Sequence, residues 1–296
     1  MNTLRYLLIG AVCTLPTSRA AAQEKSPPKP DGATIKAWTD QGFSLEWLSI
    51  VDGRLRYDSR PRQGAERPLP VFEYSKNDMG AIDFAKLPAP QVPFGVRLSN
   101  GKKGLGATLK GLAGVKNLSG VCVFDCAATE KDWQALEGLK QLTVLDLWGG
   151  YQSGTRPPES VLKLLGGYKS LDTLAIHGMR LTEVGVKSLT ELKHVRRLVA
   201  SDTALTDTFL KELKALEDLG DLNLSFTRVT DAGVAVLKDF KNLTALNLAS
   251  TAITDNCLND LGQCPKLKVL TVFNTKVTKD GLDKLRKALP DCTINN

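Results

Sequence analysis

Few side chains in this 296-residue chain have the type and spacing to do chemistry. The only histidines are His177 and His194, and no cluster of His, Cys, Asp and Glu stands at metal-ligand spacing, so neither a metal nor another cofactor is expected. Gly104-Leu105-Gly106 opens like a phosphate-binding loop but lacks the third glycine, and no serine sits in a nucleophile-elbow pattern. No catalytic residue is assigned on these grounds. What remains is a group suited to contact: Phe124, Trp148 and His177, bordered by Asp125, Asp146 and Tyr151. Large aromatic side chains set side by side on a surface cost solubility and serve as binding anchors. Beside carboxylates they would also suit sugar stacking, with Asp125 or Asp146 as acid or base.

Whether these residues stand side by side depends on the elements that carry them, and those elements are repeats. Residues 219–242 read LGDLNLSFTRVTDAGVAVLKDFKN. With Leu219 as position 1, the equivalents fall at Leu118, Leu142, Leu171, Val195, Leu243 and Leu267, spaced by 24 residues in every step but one. That makes seven repeats. Positions 4 and 6 are apolar (Leu222 and Leu224, Leu246 and Leu248, Leu270 and Val272), the period-two signal of a short strand. Positions 16, 19 and 22 are apolar as well (Val234, Leu237 and Phe240), the spacing of a helical stripe. One strand–loop–helix unit cannot bury its inward face alone, so neighbours must stack about 4.8 Å apart, with a parallel sheet on one side and helices on the other. The stack is expected to curve into an arc.

Polar columns punctuate the frame. Thr182-Glu183, Thr206-Asp207, Thr230-Asp231 and Thr254-Asp255 occupy positions 12 and 13, where the threonine can cap the helix and the carboxylate can favour its positive end. Thr203, Thr227, Thr251 and Thr275 at position 9 offer hydroxyls to backbone groups where the chain leaves the strand. Position 15 is glycine in several repeats, yet Phe209 and Cys257 also stand there, so close helix packing explains the glycines better than a positive φ. The concave face takes positions 3, 5, 7 and 8. Position 7 reads Phe124, Trp148, His177, Ser201, Ser225, Ala249 and Phe273, which places the first three on neighbouring strands. The step from Leu142 to Leu171 is 29 residues, and the excess lies in residues 151–157, beside Trp148. Insertions in repeats mark loops beside one face, often the binding face.

The pattern LxxLxLxxTxVTDxGLxxL in these residues resembles the leucine-rich repeat family, in the variety with a threonine ladder. The resemblance covers about 180 residues from Leu118 onward, closest at 219, 243 and 267; Cys126 and Gly150 depart from the threonine of position 9, and Ala200 is small at position 6. It implies an α/β fold, a leucine-rich repeat solenoid with a concave parallel sheet and convex helices, that binds proteins or other ligands without catalysis. Secreted bacterial proteins and ubiquitin-ligase adaptors carry the same variety of repeat.

Outside the repeats, residues 1–22 combine Arg5, the apolar run YLLIGAVC and Ala20-Ala21-Ala22, the pattern of a cleaved signal peptide. No other stretch is long and apolar enough for a membrane helix, so the mature chain is expected to be exported, to the periplasm, the cell envelope or the medium. Residues 23–30 read as a proline-rich linker, residues 31–93 as an N-terminal cap with a hairpin at Asp52-Gly53, and residues 94–117 as a degenerate first repeat. The seven repeats and a C-terminal cap fill residues 118–296.

The formal charge of +7 falls when Arg5 and Arg19 leave, to 37 basic against 32 acidic side chains, and the basic residues are dispersed. No nucleic-acid partner is expected. The five cysteines of the mature chain show no paired spacing; Cys126 and Cys264 fall at core positions as free thiols, and Cys122 falls on the open strand face. The expected function is a non-enzymatic exported scaffold for a protein or a cell-envelope polymer. A carbohydrate- or peptidoglycan-active protein and a ubiquitin-ligase-type substrate adaptor are the alternatives.

Overall fold

A computed structural model describes residues 27–51, 54–80, 82–149 and 155–296. The signal-peptide reading, the Asp52-Gly53 turn and Tyr151 lie outside the described residues. The described residues form one sheet of twelve strands, in the order β12-β11-β10-β9-β8-β7-β6-β5-β4-β3-β1-β2. From β3 to β12 all neighbours are parallel, and only β1 (Ser44–Val51), β2 (Arg54–Asp58) and β3 (Glu66–Tyr74) pair antiparallel. This is the solenoid that the 24-residue frame predicts.

The cap begins with α1 (Gly32–Asp40), whose first turn is closed by Asp31 accepting from the Thr34 amide at 2.8 Å. Its Trp38 is fully buried and stacks on Phe72 at 4.5 Å, with Phe43, Phe84 and Phe94 around it. An aromatic plug thus closes the end of the core, where a solenoid would otherwise open to water. The cap holds three strands, one more than the expected hairpin. β3 is the added strand, and it pairs parallel with β4 (Phe94–Ser99) to continue the repeat sheet.

The repeats follow: α2 (Leu105–Leu112), β5 (Leu118–Phe124), α3 (Glu130–Trp133), β6 (Val144–Trp148), α4 (Ser160–Leu164), β7 (Thr173–His177) and α5 (Glu183–Thr190). Then come β8 (Arg197–Val199), α6 (Asp207–Glu212), β9 (Asp221–Asn223), α7 (Asp231–Val234), β10 (Ala245–Asn247), α8 (Leu258–Leu261), β11 (Val269–Thr271), α9 (Lys279–Ala288) and β12 (Thr293–Asn295). Leu222, Leu224, Leu246, Leu248, Leu270 and Val272 are buried, as are Val234, Leu237 and Phe240 on the convex side. Helix is scarce there: α7 is four residues long and a 3-10 turn, Leu237–Asp239, completes the unit.

The threonines do more than close single helices. Thr182, Thr230, Thr254 and Thr278 each cap their own helix, whereas Thr206 stands at the N-cap of α6 without a side-chain cap bond, which corrects the expectation there. The carboxylates at position 13 stand in the first turn, where the dipole reading puts them, and also reach forward into the next repeat. Asp207, Asp231 and Asp255 each accept from both the amide and the hydroxyl of the following threonine: Thr230, Thr254 and Thr278. Glu159 does the same to Thr182 and also accepts from the Gly185 amide. This is why glycine recurs at position 15: an added Cβ at Gly233 or Gly281 would collide with the carboxylate of the preceding repeat. At position 9, Thr203, Thr227, Thr251 and Thr275 donate to the carbonyls of Ala200, Leu224, Leu248 and Val272 at 2.6–2.8 Å.

Candidate functional site

Each position 7 side chain is placed by the residue after it. Position 8 adopts a left-handed backbone at Asn100, Asp125, Gly178, Asp202, Phe226, Ser250 and Asn274, with φ between 50° and 67°. That turn lets its amide donate to the position 7 carbonyl of the next repeat, as Gly178 does to Ser201 at 3.1 Å and Phe226 to Ala249 at 2.9 Å. Parallel registry therefore persists past the ends of strands only three residues long. The side chains of position 7 line up in consequence: Phe124 and Trp148 have ring centroids 5.5 Å apart, and Trp148 stacks on His177 at 3.7 Å.

The predicted strip is contiguous, but it is not an exposed patch. Phe124 and Trp148 are half-buried and His177 is buried. The cap rolls over the N-terminal part of the concave face. Leu69 of β3 lies against Gly95 and Gly120, where an added Cβ on Gly120 would come within 2.9 Å of the Leu69 Cδ2. Leu48, Tyr57, Leu69, Gly120, Cys122 and Val144 line one small enclosure between cap and sheet. Cys122, expected on the open strand face, is instead 3% exposed.

Beneath this cover the polar residues form a chain of contacts. The Tyr57 hydroxyl of β2 donates to Asp146 Oδ2 at 2.9 Å, and the Cys122 thiol lies 3.7 Å from the same oxygen. His177 Nε2 faces Asp146 Oδ1 at 3.7 Å, and neither atom has a hydrogen-bond partner among the described residues. The other ring nitrogen, Nδ1, is 2.6 Å from Ser201 Oγ. Arg97 on β4 is held by Glu46 at 3.1 Å and Glu73 at 3.5 Å. Its guanidinium lies 4.6 Å from the Tyr57 ring and 5.3 Å from the Phe124 ring, a cationic spacer between cap and strip.

Burial sets the protonation of this group. Desolvation raises the Asp146 carboxyl to about 6, against the opposing hydrogen bonds of Tyr57, Cys122 and Trp148 and the charge of Arg97. Desolvation likewise lowers the His177 imidazole to about 3. At neutral pH the site therefore holds a carboxylate beside a neutral imidazole. Asp146 has no exposed surface, which removes it as an acid or base touching a bound sugar. Asp125 is buried in the left-handed turn after β5.

Of the residues singled out from the sequence, Phe124, Asp146, Trp148 and His177 come together. Tyr57, Arg97, Cys122 and Ser201 join them. Ser201 and Cys122 carried a signal, since the first follows His177 in the position 7 column and the second falls on the strand face. From the inserted segment, Thr155 donates to the Cys126 carbonyl at 2.8 Å and Arg156 to the Gly178 carbonyl at 2.6 Å, tying the loop end to the repeats on both sides. Among the described residues no group of His, Cys, Asp and Glu could hold a metal ion, and no helix is long and apolar enough to cross a membrane.

No family model matches the chain, and no curated protein matches it. Solved structures do. An internalin from Listeria monocytogenes superposes with a TM-score of 0.51 at 15% identity, over 68% of this chain and 53% of the internalin. A leucine-rich repeat protein from Leptospira interrogans, at 20% identity over 68% and 53% of the two chains, has a TM-score of 0.45. Internalin C2 from Listeria monocytogenes has the same identity and score over 62% and 74%. The chain thus spans about half the length of the first two. At such identities the likeness concerns the fold, and the internalin superposition carries it: this is a leucine-rich repeat solenoid.

Proposed function

We propose that this leucine-rich repeat solenoid is an exported binding scaffold, and that its partner, a protein or a cell-envelope polymer, docks on the N-terminal half of the concave face. The observation that carries the reading is the unbroken row Phe124, Trp148, His177, with Trp148 tilted against Phe124 and stacked on His177, and with Arg97 and Asp146 beside it. Rings held in place by packing lose little freedom on binding, so more of their contact energy appears as affinity. Tyr151 on the inserted loop stands next in sequence to this row and is proposed as a further contact. Asp125 borders it.

Recognition is the role assigned to the strip. The test uses purified peptidoglycan in cosedimentation and an envelope-protein extract in pull-down, each with the wild type and with Trp148→Ala. Loss of roughly 2 kcal/mol of affinity in a folded Trp148→Ala protein is the expected result. A Trp148→Ala protein that binds like the wild type would overturn the proposal.

A further inference from the structure

The juxtaposition of Asp146, His177 and Ser201 is left unused by a binding role. The three residues come from β6, the end of β7 and the segment just after β8, so the solenoid frame, not a local motif, assembles them. Ser201 Oγ is 2.6 Å from one imidazole nitrogen and Asp146 Oδ1 is 3.7 Å from the other. A hydroxyl within hydrogen-bond reach of a ring nitrogen, with a third group facing the opposite nitrogen, is the arrangement of an activated nucleophile. Such sets are recognised by geometry and role, not by order in the chain, and the carboxylate–imidazole contact is commonly long before substrate binds.

We propose that Ser201 is a reactive nucleophile that accepts acyl groups from carboxylic esters, with His177 as its base and Asp146 as a positioning residue. Ser201 Oγ attacks the ester carbonyl carbon while its proton passes to His177 Nδ1. The bond to the alkoxy group then breaks, and that group leaves as the alcohol with the proton from His177. Water attacks the acyl-serine by the same route, returning the serine and releasing the acid. Asp146 holds the Nε2–H side of the ring and offsets the positive charge that the ring gains. It is itself fixed by Tyr57, so the cap sets the geometry of the base.

Side-chain size suggests the ester class. Towards the N-terminal side Trp148 covers the face of His177 and Phe124 continues the apolar row, a platform for a flat aromatic group. Next beyond Ser201 the same column carries Ser225 and Ala249, before Phe273, so a short acyl chain meets a low floor. An aryl ester with a short acyl chain fits both.

Above about pH 6 Asp146 is ionised and His177 is neutral and able to accept a proton, although burial, which lowers the imidazole to about 3, makes it a weak base. Five groups bear on that carboxylate: Tyr57 on β2, Arg97 on β4, Cys122 on β5, Trp148 on β6 and His177 on β7. Among these, only Asp146 titrates near pH 6. Reactivity should fall as the pH drops through about 6, and Asp146→Asn should lose that step.

The test treats the full chain with an alkyl fluorophosphonate and maps the phosphonylated peptide, then follows release of p-nitrophenol from p-nitrophenyl butyrate. Expected are labelling of Ser201 at least a hundredfold faster than of Ser225, and its loss in urea. A burst of about one equivalent of p-nitrophenol should vanish in Ser201→Ala and His177→Gln. Labelling of Ser201 at the same rate in native and urea-unfolded protein, or a burst that survives Ser201→Ala, would overturn the proposal. If His177→Gln does not fold, the native-against-urea comparison of the wild type decides alone. Partner binding is read separately with Trp148→Ala, so failure of the reactive serine leaves the docking reading standing, and the reverse.

Discussion

The two halves of the concave sheet are built from the same frame and held in different ways. From β8 to β11 the units repeat nearly without change. Thr-Asp pairs link each repeat to the next, and short strands carry small side chains at position 7 until Phe273 in the last. From β4 to β7 the strands are five to seven residues long, and positions 5 and 7 carry Arg97, Cys122, Asp146, Phe124, Trp148 and His177. Here the ladder is irregular. Cys126 replaces the position 9 threonine and points its thiol at the Phe124 and Leu98 carbonyls, and Glu159 stands in for the ladder aspartate. Regularity marks the part that only has to stack. The departures gather where the cap folds over the sheet and a polar cluster must be enclosed.

The largest expected effect lies in the regular half. Leu246→Ala, which empties a packed inward position, should cost about 2 to 5 kcal/mol in chemical denaturation. Removing one stacked unit should loosen its neighbours on both sides, visible as faster amide exchange from β9 to β11. A loss confined to one repeat would break the account of that half as a single stack.

Much of that half is legible in the sequence because one residue type recurs at one position for one reason. Leucine at positions 4 and 6 and threonine at 9 take the roles that their spacing predicts, as does threonine at 12 except Thr206, which makes no side-chain cap bond. Two devices there are not legible. The left-handed turn at position 8 is filled by Asp202, Phe226, Ser250 and Asn274, which share no chemistry a pattern could show. The aspartate at position 13 bonds a residue 23 positions later, so inspection of a single helix assigns it to its own dipole. In the other half the aromatic row is legible from the frame, but its cover is not. Tyr57 and Asp146 are 89 residues apart, and the cap has no repeat against which Tyr57 could be placed.

Effects in the N-terminal half should be smaller and local. Tyr57→Phe removes the donor to a buried carboxylate and should cost about 1 to 3 kcal/mol, measured as stability of the cap by amide exchange in β1 and β2. Exchange from β9 to β11 should stay as in the wild type. A uniform loss across both halves would contradict the separation.

The pH dependence sharpens the same contrast. Asp146 is raised to about 6, so its contribution is fully present below the ordinary carboxylate range and is lost as pH rises through 6. His177 is lowered to about 3, so its contribution is lost as pH falls from its ordinary 6.5 towards 3. Between about pH 6 and 4 these slopes oppose: the folded chain carries the proton on Asp146 and the unfolded chain carries it on His177. The pair should thus leave wild-type stability nearly flat across that window and lower it below about pH 4. Asp146→Asn should make stability fall from pH 6.5 downward, and His177→Gln should make it rise from pH 6 to 4. The slope in either variant is at most about 1.4 kcal/mol per pH unit. Equal slopes in all three proteins, followed by denaturation across pH 4 to 7, would mean that the pair is not buried together. At the small end, Lys238→Ala on the exposed convex side, whose ion pair with Asp260 spans 3.4 Å, should change stability by less than about 0.5 kcal/mol.

The enclosure of the concave face by the cap can be read from one thiol. Cys122 lies beneath Tyr57, and burial pushes its thiol well above the usual range, whereas Cys292 near the last strand is half-exposed. Native protein is treated with a thiol reagent and the labelled peptides are quantified, for the wild type and for Tyr57→Ala. The account predicts that Cys292 labels first, that Cys122 stays protected in the wild type, and that Tyr57→Ala exposes Cys122 while Cys264 in the regular half remains protected. Labelling of Cys122 in the native wild type as fast as Cys292 would contradict it.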